Sequence, residues 1–221
     1  MKYLLTLFAW LFPYFFQNDF SAFEMNAKEF LATSAIQQPI DARDPDTQLL
    51  DATVFHLCNQ LRQKYHLPPL AFSPVLYKIV SEHSEAMIER NFYSHENPYN
   101  AQKRKLSNRV FSQTNEFTQL AENLAQNDII HTKNDEFCYN EPNRRGGDFE
   151  FIDCESGKPL PMQSYRELAK SIVDSWMESP PHRANLLNKN YKVMACSGRF
   201  SKKPFKNANS PFIRITQNFG G

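Results

Sequence analysis

Residues 176–187 read WMESPPHRANLL. This stretch closes a helical pattern that opens at Ser164, a typical helix-capping residue, and repeats apolar residues at helical spacing. The two prolines at 180 and 181 cannot continue that backbone hydrogen bonding, so we expect the helix to end before them. Glu178 and His182 then flank the break, four residues apart. Only a turn that redirects His182 can bring these two ionisable groups together.

Composition and charge describe an ordinary folded domain. The chain has 221 residues, with 25 Lys and Arg against 24 Asp and Glu, so its formal net charge is +1. This balance gives no electrostatic reason to expect a nucleic-acid partner. Hydrophobic residues make up 41% and charged residues 22%, which is too apolar for a disordered chain. We therefore expect one domain with appendages.

The amino terminus predicts export. The run YLLTLFAWLFPYFF, residues 3–16, is uncharged and follows a single basic residue, Lys2. Its length suits a signal-peptide core and is short for a spanning helix. We expect residues 1–22 to be a signal peptide, cut near Ser21 and Ala22, of a protein secreted or held in the cell envelope. The alternative is an uncleaved anchor, the one route by which we expect membrane contact. Residues 23–45 carry no sharp pattern and predict a tether before a domain at 46–221.

Hydrophobic spacing predicts helices on both flanks of a sheet. Helical spacing covers residues 46–65, and a second helix starts at the Ser73–Pro74 cap and runs to about residue 91. A short helix over 102–110 carries Lys103, Arg104, Lys105 and Arg109, which we expect on a solvated face. The strand-like runs 193–200 and 212–219 flank a turn-rich segment and predict an antiparallel pair. Together these elements predict a layered α+β domain.

Residues 126–163 are polar and punctuated by Pro and Gly, so they predict a long excursion, with a hairpin around residues 148–154. Cys138 and Cys154 lie sixteen residues apart within it, and in an exported chain we expect them to form a local disulfide. Cys58 and Cys196 sit in apolar patterns. For these two, burial as free thiols and a bond stay equally open.

Four ionisable residues stand at predicted element ends: His95, Glu122, Glu178 and His182. Imidazoles are common ligands of zinc-like ions, and a carboxylate can orient a ligating imidazole. Two histidines alone make a weak, open site that solvent or a ligand must complete. Taken singly, each histidine is more often a hydrogen-bonded structural group than a ligand. His83, on the apolar stripe of the second helix, is expected to be such a core or cleft-wall imidazole.

The segments YSHENP, AENLA, WMESPPHRANLL and TQNFG occur in an order that resembles the CAP superfamily. This family of SCP-like domains includes the cysteine-rich secretory proteins, antigen 5 and plant pathogenesis-related 1 proteins. The resemblance covers about residues 48–221 and implies a three-layer α-β-α sandwich with a small, mainly antiparallel central sheet. It further implies that His95 and His182 can hold a divalent metal, zinc above all, and that Glu122 and Glu178 lie next to these ligands without binding the metal themselves. It does not require the metal site to be filled.

The departures from the family pattern suggest a bacterial single-domain form, because the cysteines do not follow the usual eukaryotic framework and no cysteine-rich extension follows. Ala121 also replaces the glycine common before the E-N pair. The resemblance favours a secreted, non-enzymatic binding module for a metal and a lipid, sterol or extracellular protein partner. No G-x-S-x-G or H-E-x-x-H motif is present. The alternative is a metal-assisted, peptidase-like hydrolase with Glu122 or Glu178 as general base. A glycosidase pair of Glu122 and Glu178 ranks last.

Overall fold

The computed structural model describes residues 19–132 and 136–221. Its centre is a four-stranded sheet in the order β1, β5, β6, β2. Strands β5 and β6 pair antiparallel, β6 and β2 pair antiparallel, and only the short β1 runs parallel to its neighbour β5. The strands are β1 (Ala71–Phe72), β2 (Leu120–Asp128), β5 (Val193–Phe200) and β6 (Phe212–Gly220), with β3 (Cys138–Asn140) and β4 (Glu150–Ile152) forming a separate hairpin.

Helices cover both faces of this sheet. They are α1 (Ser21–Glu24), α2 (Ala27–Phe30), α3 (Thr47–Lys64), α4 (Pro74–Glu89), α5 (Leu106–Phe111), α6 (Tyr165–Glu178) and α7 (Pro180–Leu186), with short 3₁₀ turns at Ala35–Gln37 and Ala101–Lys103. Successive β5 side chains alternate between two cores: Met194 and Cys196 join the one formed with α3 and α6, and Ala195 joins the one formed with α4 and α5. This arrangement confirms the expected three-layer α+β sandwich.

Local sequence signals fix the ends of the long helices. Asp46 accepts a hydrogen bond from the amide of Leu49, and Ser73 accepts one from Leu76, so both side chains satisfy amides that have no partner within the helix. Ser164 and Glu167 form a reciprocal capping box at the start of α6. As predicted, α6 ends before the double proline. The prolines occupy the first turn of α7, where a missing amide hydrogen costs nothing.

Residues 23–45 are not the expected tether. They fold into short helical turns and bury Phe23, Phe30, Ile36 and Ile40 in the core formed with α3 and α6. A tether would leave these side chains in water, and their burial instead makes this stretch part of the domain. Helix α1 also spans the predicted cleavage region near Ser21 and Ala22. The rest of the predicted signal peptide or anchor, residues 1–18, lies outside the described residues. Within the described ranges, no helix combines the length and the apolar character that crossing a membrane requires.

The excursion starts later than predicted. Strand β2 continues to Asp128, and Ile129 and Ile130 are buried, so the irregular part follows them. The expected hairpin is confirmed as β3 and β4, and the expected disulfide joins Cys138 to Cys154 with their Cα atoms 5.0 Å apart. Cys58 and Cys196 are buried free thiols.

Candidate functional site

His95 lies on the loop between α4 and the 3₁₀ turn at Ala101–Lys103, and 57% of its side chain is exposed. Its Nδ1 atom lies 3.0 Å from Oε1 of Glu122. A carboxylate accepts hydrogen bonds, so this contact places the ring proton on Nδ1. The other nitrogen, Nε2, is left with its lone pair and no hydrogen bond among the described residues. His95 therefore offers one unpaired ring nitrogen on a largely exposed side chain.

Glu122 is the buried centre of the site. It lies on β2, with 3% of its side chain exposed. Its Oε2 atom accepts a hydrogen bond from Nη2 of Arg109 at 2.5 Å. Asn218, its register partner on β6, donates to the same oxygen at 3.0 Å when its amide nitrogen faces the carboxylate. Both oxygens of Glu122 are thus occupied by donors, and the buried guanidinium compensates its charge.

His182 sits in the first turn of α7 and is partly buried. Its backbone carbonyl accepts a hydrogen bond from Nδ2 of Asn123 at 3.3 Å, and Asn123 in turn accepts one from Asn185 at 2.8 Å. Burial lowers the pKa of the His182 imidazole, and a positive charge on His95, when that ring is protonated, lowers it further. The lowered pKa favours neutral His182, the form that binds metals.

Glu178 stands apart from the other three residues. It ends α6, is exposed, and has no hydrogen bond or ion pair with any described residue. It lines a shallow depression together with His131, Glu167 and Asp174. The structure thus joins His95 to Glu122 directly and reaches the backbone of His182 through Asn123, the neighbour of Glu122 on β2. It gives Glu178 no hydrogen bond or ion pair with these described residues.

His83 lies behind His95 and is 1% exposed. Its Nε2 atom lies 3.0 Å from the carbonyl oxygen of Ser94, so this nitrogen carries the proton and donates. Burial lowers the pKa of His83 to about 4, and the charge of Arg109 adds to the effect. The expectation of a buried cleft-wall imidazole is confirmed in its position.

The site can supply two imidazole nitrogens and one carboxylate that orients an imidazole. Within residues 19–132 and 136–221, no three side chains of His, Cys, Asp or Glu are gathered closely enough to enclose a metal ion. The donor set still fits a divalent ion held at Nε2 of His95 and by His182. A carboxylate behind the outer histidine is the usual support for a metal-binding ring. Remaining coordination positions would go to solvent or to a ligand.

A model of the cysteine-rich secretory protein family, CAP, matches residues 55–206. The chain belongs to this family. That match spans the loop of His95, the strand of Glu122 and the helix of His182. None of the curated proteins matches the chain.

Solved structures similar to this CAP domain include three bacterial proteins. An extracellular SCP-domain protein from Bacillus anthracis is 21% identical, with a TM-score of 0.48, over 78% of this chain and 41% of that one. An outer surface protein from Borrelia burgdorferi is 16% identical, with a TM-score of 0.49, over 79% of this chain and 94% of that one. A cysteine-rich secretory protein from Staphylococcus aureus is 15% identical, with a TM-score of 0.42, over 80% of this chain and 40% of that one. The chain thus spans about two fifths of the Bacillus and Staphylococcus proteins.

Sequence reasoning missed the residues that hold the site together. Arg109 was expected on a solvated helix face, but it is 4% exposed and pairs with Glu122, a correction to that prediction. Its helix α5 contacts β2, and Val110 beside it joins the core under α4. The signal that could have found Arg109 is its position next to an apolar residue at the end of a basic run. Asn123 and Asn218 carry no such signal, since they lie on strands and take partners from distant segments.

Proposed function

We propose that this CAP domain is a binding module, and that its cleft holds a divalent metal, zinc first, at His95 and His182. The observation that carries this proposal is the buried carboxylate of Glu122, held between Arg109 and His95. Such a carboxylate fixes the ring orientation and tautomer of a metal-binding histidine.

The residues would divide the work as follows. Nε2 of His95 and a ring nitrogen of His182 would hold the ion. Glu122 would keep the proton of His95 on Nδ1, and Arg109 would hold the carboxylate of Glu122 in place. When bound, the metal would supply a cationic centre with free coordination positions for a donor group of a partner.

The arrangement of Glu122 speaks against its use as a general base. A general base needs a free oxygen within reach of the water that it deprotonates. Oε1 faces His95 and Oε2 faces Arg109, so neither oxygen is free. Glu178 has a free carboxylate, but no described residue holds it in place beside the histidines. The binding-module hypothesis therefore fits the geometry better than the hydrolase alternative.

A second ligand class, an anionic amphiphile such as a fatty acid, is favoured by a groove between α3 and α6. The groove has a volume of about 200 Å³ and contains the apolar side chains of Leu57, Leu61 and Val173. Lys64, Arg166 and Lys170 surround it, against the single carboxylate of Asp174. Lys64 has no hydrogen bond or ion pair among the described residues, so its charge is available to an anionic headgroup. Identification of the bound ligand would also reveal a sterol or an extracellular protein partner.

We also propose that the protein is exported. The disulfide between Cys138 and Cys154 supports it, because such bonds persist in oxidising compartments outside the cytosol. The apolar run at residues 3–16 gives the corresponding targeting signal.

Zinc titration of purified protein against a chromogenic chelator tests the metal proposal. We expect about one zinc per chain, lost when His95→Ala and His182→Ala are combined, and retained in the control Glu178→Gln. Unchanged zinc binding in the double variant would refute the site. Turnover of a peptide library that Glu178→Gln abolishes would instead support the hydrolase.

Displacement of a fluorescent fatty acid tests the groove. Lys64→Glu should weaken binding severalfold, whereas Lys158→Glu, on the exposed excursion, should leave it unchanged. Equal effects of both substitutions would mean that the fatty acid binds elsewhere. Mass spectrometry of co-purified lipids then identifies the natural amphiphile.

A further inference from the structure

The loop that carries His95 is held from behind by three buried side chains. The carbonyl oxygen of Phe92 accepts a hydrogen bond from Nη1 of Arg214 at 3.1 Å, that of Ser94 from Nε2 of His83 at 3.0 Å, and that of His95 from Nη1 of Arg109 at 3.1 Å. These side chains come from β6, α4 and α5. Three separate elements therefore fix three carbonyl groups within four residues of the loop.

This support matters because the side chain of His95 is itself only weakly held. More than half of its side chain is exposed, and within the described part of the chain its one side-chain hydrogen bond goes to Glu122. A metal site needs its ligands within a fraction of an ångström of the binding geometry, and an irregular loop does not supply that by itself. The backbone hydrogen bonds must supply it.

Of the three side chains, His83 makes the fewest other hydrogen bonds. Arg109 also pairs with Glu122, and Arg214 also bonds Met87, Asn91 and Gln126. Among the described residues His83 makes one side-chain hydrogen bond, to Ser94, and its buried Nδ1 atom has no partner there. A buried polar atom left unpaired is unfavourable, and an apolar residue would avoid that cost. The benefit of a histidine here therefore lies in the contact with Ser94.

We propose that His83 is a positioning residue: it holds the Ser94 carbonyl and so fixes His95 for metal binding without touching the metal. The effect of His83 on metal affinity rests on the proposed function. Its hold on the loop rests on the hydrogen bonds described above. The metal affinity of the open cleft would then depend partly on His83, a side chain on the buried face of α4.

Four variants test the role of His83. His83→Gln keeps a donor near the position of Nε2, His83→Asn carries the same amide on a shorter side chain, and His83→Leu removes the donor. Leu76→Ala, elsewhere on α4, destabilises the core without touching the loop. We expect Asn and Leu to weaken zinc binding tenfold or more. Gln should stay within about threefold of the wild type, and Leu76→Ala should leave affinity unchanged at a temperature where all variants are folded.

Two results would overturn the proposal: wild-type zinc affinity in the Asn variant, or an equal loss in Leu76→Ala. The Gln and Asn pair decides the question even if the Leu variant does not fold. A metal-free readout separates this inference from the proposed function. NMR order parameters of the amides at 94–96 should fall in the Asn variant and recover in the Gln variant. If the wild type binds no zinc but these order parameters change as stated, the proposed function fails and the positioning role of His83 stands.

Discussion

Glu122 and His95 meet at 3.0 Å, with a carboxylate that is almost fully buried and an imidazole that is mostly exposed. This contact joins the interior of the protein to its cleft, because Glu122 is itself held by the buried Arg109. Any change in the carboxylate should therefore alter both the stability of the domain and the orientation of His95. The exposed Glu178 has no such connection.

Replacing Glu122 by Ala should lower the free energy of unfolding by about 3–5 kcal/mol, because it leaves the guanidinium of Arg109 buried without a carboxylate. Urea denaturation followed by circular dichroism measures this loss. Glu178→Ala is the control and should change stability by about 0.5 kcal/mol or less. Combining Glu122→Leu with Arg109→Met should recover much of the loss, since no buried charge is then uncompensated. A Glu122→Ala variant as stable as the control would contradict the buried pair.

Asp51 should make the protein more stable in acid. Its buried carboxylate accepts hydrogen bonds from Tyr77, Ser197 and the amide of Gly198. Burial raises its pKa to about 6, although the charge of Arg199 opposes the shift. The folded state thus binds this proton more tightly than the unfolded chain. The resulting stability, of order 3 kcal/mol, is complete below about pH 4 and is lost as the pH rises through about 6.

Asp51→Asn tests this prediction through urea denaturation between pH 4 and pH 8. The variant should lose the contribution that Asp51 makes in acid, and it should be at least as stable as the wild type at pH 8. A wild-type pH profile in the variant would show that Asp51 titrates normally in the folded protein.

Titration of His83 should change the stability of the protein in the direction opposite to that of Asp51, over an overlapping pH range. Its pKa falls to about 4 in the folded state because of burial, below the value of about 6.5 for an unperturbed histidine. The unfolded chain therefore binds this proton more tightly. Stability from neutral His83 is fully present above about pH 6.5 and is lost as the pH falls towards 4. In His83→Gln this share of the acid loss should vanish, so the variant should lose less stability than the wild type between pH 6.5 and pH 4. The lowered pKa values of His56 and His182 still act in the same direction as that of His83. A decline in acid as large as that of the wild type would assign the effect to another group.

The long helices and two of the strands could be predicted because their signals are local. Ser73 with Pro74, and Ser164 with Glu167, mark helix starts by chemistry that acts within one turn. The strand-like patterns of β5 and β6 are likewise visible from neighbouring residues alone. The motif order around His95 and His182 added the fold class, since it relates segments that no local rule connects.

The elements that the sequence did not predict depend on distant partners. Strand β2 buries Glu122 and Asn123, polar residues that break the hydrophobic alternation of a strand. Their burial is tolerated only because Arg109 and Gln217 supply hydrogen bonds from other elements. The N-terminal residues 23–42 have single apolar side chains in very short turns, so no periodic pattern reveals that they pack on α3 and α6.

The N-terminal turn should be part of the stable domain. The carbonyl of Ala22 accepts a hydrogen bond at 2.7 Å from Nε2 of His56, which is 2% exposed. The ring of Phe20 packs 5.1 Å from that of Phe72 and 5.5 Å from that of Tyr77. A chain that starts at Phe23 loses both contacts and leaves Nε2 of His56 without its partner.

We therefore expect a chain that starts at Phe23 to be less stable than one that starts at Asp19 by about 1–3 kcal/mol, the usual cost of an unpaired buried donor. Urea denaturation of the two chains measures the difference. Phe20→Ala in the longer chain gives the share of the aromatic contact, and the remainder belongs to the bond from His56. If a signal peptidase cuts the leader, mass spectrometry of the exported protein should find the new amino terminus no later than Phe20. A mature protein that starts at Phe23 with undiminished stability would show that the turn is dispensable.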